Sequence, residues 1–318
     1  MPKRSKTQQT KRDWRWYASF ILNGAVALSM VVGTVLLFAP PPRPSALPTL
    51  EVPTAAPTSP IINPVPNVAP TIAPPSPTPK ASATNYDFAV TGDSRDGDAV
   101  YLRVLDRVMK DGSEFLIHTG DLVASDSQEN WTNFQNLMKG FTLPFFPMPG
   151  NHELRGAGKI SDYVQYSGAP TPSANSSALT THYSFDRGAV HFTMVDSSVG
   201  SLLDSEFAWM DNDLAASNAP IKMLFVHHPP FDPAGTSHVM VMGGDRFVQI
   251  AKQRGVKYVF AGHIHCYEEE LRDGVDYIIT GGAGAPLDCA PNAGGYYHYM
   301  HVTVRGDKIT TRVVKIEE

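Results

Sequence analysis

Hydrophobic positions in the second two thirds of the chain follow two rhythms. Short apolar runs at residues 86–90, 115–118, 145–148, 221–226 and 258–261 read as buried β-strands. Between several of them, apolar residues recur every three or four positions, which predicts helices over 99–109, 128–138, 205–216 and 247–254. Residues 181–197 read as a hairpin turning at Asp186-Arg187-Gly188. Two further hairpins close the chain: 268–271 with 277–280 across Asp273-Gly274, and 297–304 with 308–314 across Gly306-Asp307. Strand-helix alternation followed by a run of strands places the domain among α/β folds.

The N-terminal part has a different pattern. Residues 1–15 hold Lys3, Arg4, Lys6, Lys11, Arg12 and Arg15 against one acid, Asp13, and 16–39 then run without charge. That run suits the ~20 residues of a bilayer-spanning helix. A cleaved signal peptide is the competing expectation, but its apolar region spans only about 7 to 15 residues before a small-residue site. An uncleaved signal anchor is favoured, with the basic flank cytoplasmic and the rest of the chain exported. The expected localisation is the cell membrane, crossed once. Residues 40–82 are rich in Pro, Ala, Thr and Ser, a composition for an extended linker and not for a core. At about 3.1 Å per residue such a linker reaches up to ~120 Å when stretched.

Charge separates the two parts. Residues 1–80 carry eight Lys or Arg and two acids, so of the whole-chain net charge of −5 the remainder holds −11. An acidic domain is a poor partner for a polyanionic duplex, so no nucleic acid is expected and a small phosphate ester is the better substrate. Oligomeric state is not legible.

The chemistry sits just after the five strands. Gly92-Asp93-Ser94-Arg95, Gly120-Asp121, Gly150-Asn151-His152-Glu153, His227-His228-Pro229 and Gly262-His263-Ile264-His265 follow them in order. Loops from the ends of strands can converge on one site. Carboxylate, amide and imidazole together suit first-row metals, and two cations roughly 3.5 to 4 Å apart can clamp both oxygens of a phosphoryl transfer.

These clusters resemble the calcineurin-like metallophosphoesterase superfamily, and in particular its purple acid phosphatase-like branch, over about residues 84–318. Tyr183-Ser184-Phe185-Asp186 through Val195-Asp196-Ser197, Trp209 and Gly281-Gly282-Ala283-Gly284 are similar to family segments that shape the site. The resemblance implies a four-layer αββα sandwich of two mixed β-sheets flanked by helices, here preceded by one transmembrane helix. It implies two divalent or trivalent ions (Fe, Mn or Zn), with Asp93 and His265 on the first, Asn151, His227 and His263 on the second, and Asp121 bridging. His152 resembles the histidine that contacts the phosphoryl group, and Glu153 a partner that orients its neighbours. The activity implied is hydrolysis of phosphate monoesters by attack of metal-bound hydroxide. Phosphodiester or cyclic nucleotide hydrolysis is the alternative, and a degenerate metal-binding interaction module the alternative of another class.

Two positions depart from the resembled pattern. Arg95 stands where the superfamily usually has a histidine two residues after the first aspartate, and Ala124 where purple acid phosphatases have a tyrosine ligand. The first ion is left with Asp93, Asp121 and His265. A guanidinium is a poor ligand, so Arg95 is expected to fork onto phosphate oxygens or else to be a surface residue paired with Asp96 or Asp98. His238 resembles a substrate-contacting loop histidine, its alternative being an exposed loop residue. His228 is not expected to be a ligand, and His118, His182, His191, His298 and His301 are expected to be packed or solvated. Cys266 and Cys289 form a disulfide or, alternatively, leave Cys266 as a packed thiol or an added ligand.

Overall fold

Alternation along each strand assigns its two faces before any helix is placed. In β1 (Asn85–Thr91), Tyr86, Phe88 and Val90 point to one side and Ala89 to the other; in β6 (Ile221–Val226), Ile221, Met223 and Phe225 oppose Leu224 and Val226. The computed structural model describes residues 84–170, 181–233 and 235–317. Among these no helix is long and apolar enough to cross a membrane. The expected span at 16–39 and linker at 40–82 lie outside the described residues.

Five strands form the first sheet. β2 (Leu116–His118) and β3 (Phe145–Pro147) extend β1 in parallel, while β10 (His298–Arg305) and then β11 (Lys308–Lys315) add antiparallel on its other side. The second sheet runs β4 (Tyr183–Arg187), β5 (Val190–Val195), β6, β7 (Val256–Ala261), β9 (Val275–Thr280) and β8 (Tyr267–Arg272). Its four central strands are parallel and its two edges antiparallel. The inner faces meet in one aromatic core, where Phe88 stacks on Phe115 at 4.9 Å and meets Phe192 of the opposite sheet edge-on at 5.4 Å.

Helices cover both outer faces. α1 (Asp98–Lys110) buries Val100, Tyr101, Val104, Leu105 and Val108, with Asp98 in its first turn and Arg107 and Lys110 in its last, matching the helix dipole. α2 (Gln128–Met138) is capped by the Ser127 hydroxyl, which accepts from the Asn130 N–H at 3.2 Å, and α3 (Ile160–Tyr166) packs beside it. On the second sheet, α4 (Asp204–Ala216) and α5 (Gly244–Gln253) cover Leu224, Val226 and Val259. The expected four-layer sandwich is therefore present.

Most expected elements match to within a few residues. The hairpin β4–β5 turns at Gly188-Ala189, because Arg187 pairs with Val190, and not at Asp186-Arg187-Gly188. α3 was not expected; it is a short helix in a glycine-rich segment, where the apolar period is too brief to register. The two C-terminal hairpins turn at Asp273-Gly274 and Gly306-Asp307 as expected.

Candidate metal centre and active site

β1, β2 and β3 are parallel to one another, as are β6 and β7, so the loops leaving their C-terminal ends emerge at one edge of each sheet. Backbone bonds tie these loops together: Asp93 N–H donates to Gly120 O at 2.9 Å and Gly262 N–H to His227 O at 3.0 Å. Gly281-Gly282-Ala283-Gly284 braces the first loop, with Ala283 N–H donating to Gly92 O at 3.0 Å and Ala285 N–H to Asp93 O at 2.8 Å. Among the described residues, three of the six with positive φ other than glycine are expected ligands: Asp93 (60°), Asp121 (58°) and His263 (68°). Backbone strain at a site is held by its surroundings, here by those interloop bonds. At Gly262 a Cβ would lie 2.5 Å from Asp93 Oδ2, so a side chain there would displace the carboxylate.

The structure brings the expected ligands together. His227 Nε2 lies 3.3 Å from Asp121 Oδ1 and 3.2 Å from Asn151 Oδ1, and His265 Nε2 lies 3.5 Å from Asp93 Oδ1. Donor atoms of Asp93, Asp121 and His227 all fall within 4.8 Å of one another. The His263 ring stands 5.0 Å from that of His227, and the His263 backbone N–H donates to Asp93 Oδ2 at 2.9 Å.

Three histidines turn the same ring nitrogen to a backbone carbonyl. The Nδ1–H of His152 donates to Ala124 O at 2.7 Å, that of His227 to Thr119 O at 2.9 Å and that of His265 to Pro286 O at 2.7 Å. Each turns Nε2 toward the site, which is how backbone acceptors orient metal-binding imidazoles. Burial pushes His263 down to about 3 and His227 well below its ordinary range, so both are neutral and able to donate a lone pair. Burial opposes a charge on His265 as well, but Asp93 and Asp288 outweigh it and hold that imidazole up at about 9.

Asp93 is fully buried, and its Oδ1 has no hydrogen-bond donor among the described residues; burial raises its pKa against the pull of His265. Two buried carboxylates this close are costly unless cations neutralise them. The donor set of Asp93, Asp121, Asn151, His227, His263 and His265 therefore fits metal ions.

Glu153 is not aimed at the ligands. Its carboxylate accepts the N–H groups of Gly150 (2.6 Å), Leu122 (2.8 Å), Asp121 (3.0 Å) and Val123 (3.1 Å), pinning two ligand loops to each other. Burial and the Asp121 charge push it up to about 8 against those four donors. His118 has a related role missed by sequence reasoning: its Nδ1 accepts from Gly120 N–H at 3.2 Å and its Nε2 lies 3.1 Å from Ser94 Oγ, linking the two aspartate loops. Burial holds it neutral, near 3. His228 comes closer than expected, with its ring 4.1 Å from that of His263 and its donor atoms grouped with His227 and His263, though its Nδ1 is engaged by Ser197 Oγ at 3.1 Å. The only signal for it was its place beside His227.

Arg95 makes the pairing with Asp96 considered for it, and it also reaches inward to the ligand loops. Nη1 pairs with Asp96 at 2.7 Å, while Nε leans on Asp121 Oδ2 at 3.3 Å and Nη2 reaches 3.5 Å from His265 Nε2. Only 15% of its side chain is exposed, so it is not a free surface residue. His238 is 52% exposed at the rim, its ring 5.7 Å from His263 and its Nδ1 3.6 Å from Asp288. His182, ahead of β4, stacks on Trp209 at 4.0 Å. His191, His298 and His301 are buried away from the ligands within the sheets. Cys266 and Cys289 are disulfide-bonded, with Cα atoms 5.9 Å apart, so Cys266 is neither a free thiol nor a ligand.

Comparison with known proteins matches the same segment. The family model for calcineurin-like phosphoesterases covers residues 86–267. Purple acid phosphatase 23 of Arabidopsis thaliana is 29% identical over 154 residues, which cover 46% of this chain and 34% of that protein. The 3',5'-cyclic adenosine monophosphate phosphodiesterase CpdA of Escherichia coli (strain K12) is 27% identical over 176 residues, covering 52% of this chain and 60% of that protein. The chain thus spans a third to three fifths of these two relatives. Among solved structures, the purple acid phosphatase PPD1 from yellow lupin (Lupinus luteus) superposes with a TM-score of 0.60 at 18% identity, over 76% of this chain and 53% of that one.

Proposed function

The chain belongs to the calcineurin-like phosphoesterase family, and on that premise we propose that it hydrolyses phosphate monoesters at a centre of two metal ions. The observation that carries this reading is the convergence of Asp93, Asp121, Asn151, His227, His263 and His265 from loops of both sheets, with Nε2 of His227 and His265 3.2 to 3.5 Å from oxygens of Asn151, Asp121 and Asp93. A module that only bound partners would have no chemical need for this arrangement. Bound there, two cations would neutralise phosphoryl oxygens and lower the pKa of water toward neutrality.

The chain's own groups supply the rest. Arg95, beside Asp121, is placed to fork onto a phosphoryl oxygen once substrate charge competes with Asp96. His152 donates to its own N-terminal side through Nδ1–H and presents Nε2 3.8 Å from Asp121 Oδ2. Burial lowers its pKa, so the resting ring is neutral; incoming phosphoryl charge favours uptake of a proton at Nε2, the proton then available to the leaving oxygen. His238 at the rim is a candidate for contact with the substrate beyond phosphorus.

The similarity to a cyclic nucleotide phosphodiesterase supports a second reading, diester hydrolysis. The test is metal content of the purified protein together with rates on 4-nitrophenyl phosphate and bis(4-nitrophenyl) phosphate. A bimetallic protein faster on the monoester is expected; preference for the diester selects the second reading, and metal without turnover of either returns the chain to a binding role. The N-terminal signal anchor belongs to the same proposal and would hold this domain outside the membrane.

A further inference from the structure

A cavity of about 360 Å³ opens beside the ligand loops, between them and the start of α2. Its inner end is Arg95, whose guanidinium touches Asp121, and Ala124, whose carbonyl fixes His152. The small side chain of Ala124 leaves the space open, and Phe134 supplies an apolar floor. A leaving group attached to phosphorus at the metal ligands has this cavity beside it.

Several polar groups of the cavity already donate to neighbouring oxygens. Asn133 Nδ2 donates to Asp98 Oδ2 at 2.9 Å, Asn130 Nδ2 to Ser125 O at 2.9 Å, and Arg95 Nη1 to Asp96 Oδ2 at 2.7 Å. The second oxygens of Asp96 and Asp98 and the amide oxygens of Asn130 and Asn133 have no donor assigned among the described residues. Arg95 is the one cation in the lining, and it faces the phosphoryl end. An acceptor-rich cavity with carboxylates at its outer end complements a donor-bearing cation and repels an anion.

Resting on the phosphoesterase reading, we propose that this cavity is the leaving-group subsite and that it selects esters whose alcohol carries an ammonium group. The ammonium would donate to the second oxygen of Asp98 and to the amide oxygen of Asn133, beside the bond that joins them, while Arg95 holds the phosphoryl end. Selection then comes from the leaving group and not from the phosphate.

Three esters of similar size differ chiefly in terminal charge: O-phosphoethanolamine (cationic), propyl phosphate (neutral) and 2-phosphoglycolate (anionic). With the metal-loaded full-length protein, kcat/KM is expected to fall in that order, by about tenfold from cation to anion at low salt, as partly exposed charges allow. Asp98→Asn should compress the range to about threefold, chiefly through a raised KM for O-phosphoethanolamine. Equal kcat/KM for the three esters, a preference for the anion, or an unchanged range in Asp98→Asn overturns the inference while leaving the phosphoesterase reading intact. No turnover of any of them, nor of 4-nitrophenyl phosphate, overturns that reading and the inference with it.

Discussion

Three groups converge on Asp121: His152 N–H, Arg95 Nε and His227 Nε2 all approach its carboxylate. Asp121→Asn removes the charge that two cations would share. Activity should fall by roughly two to four orders of magnitude, and bound metal should drop, while far-ultraviolet circular dichroism stays unchanged. Near wild-type turnover at full occupancy would sink the two-metal assignment. Position 124 makes a spectroscopic prediction. With alanine there, and with the Tyr267 hydroxyl engaged by Glu269 at 2.5 Å, the iron-loaded protein should show no tyrosinate charge-transfer band in the visible spectrum. A purple protein would mean that a tyrosine completes the first shell and that the ligand set is wrong.

At the scale of elements, two connections carry measurable stability. His191 in β5 lies between Asp213 of α4 (2.9 Å) and Asp186 of β4 (2.7 Å). Burial opposes its charge, but these hydrogen bonds outweigh burial and raise its pKa above the usual imidazole range. Burial likewise opposes the Asp213 charge, and His191, Ser184 and Thr193 win and lower that pKa. A raised histidine stabilises fully below its unfolded value, and the gain is lost as pH rises through the folded value; a lowered aspartate loses its gain as pH falls through its folded value. His191→Asn should therefore cost most between about pH 4 and 6.5, some 2 to 4 kcal/mol, and progressively less on the alkaline side. Denaturant titrations of both proteins across pH read this; a constant difference would count against it. The second connection is the disulfide. Cys266 follows His265, and Cys289 follows Asp288, whose carboxylate accepts from His265 N–H at 2.9 Å. The 23-residue separation makes the bond worth about 3 kcal/mol in the chain-entropy model. Cys266→Ser with Cys289→Ser should lower the unfolding midpoint and weaken retention of the ion at Asp93 and His265, read as metal lost first to a chelator.

For the whole molecule, the sandwich puts all reactive groups on one edge, where the C-terminal ends of parallel strands from both sheets meet. The N-terminal part supplies the remaining prediction. If residues 16–39 are an uncleaved anchor, the full-length protein should stay in membranes through alkaline carbonate washing, and external protease should release an active domain by cutting within 40–82. A soluble mature protein beginning near residue 40 would show that the segment is cleaved.

The chain's order of residues was enough to locate the strands and, among the described residues, four of the five α-helices, and to single out six candidate ligands that the fold brings together. Apolar period and turn chemistry are local, and each ligand immediately follows the strand that delivers it. Tertiary structure decided what depends on residues far apart in sequence. Glu153 clamps N–H groups some thirty positions earlier, Arg95 rests on Asp121 and His265, and Cys266 bonds to Cys289. The orientation of His152, His227 and His265 was equally illegible, because it is set by carbonyls of Ala124, Thr119 and Pro286. A ligand's identity is written in its side chain, but the nitrogen it offers is chosen by whichever backbone acceptor folding brings to the other one.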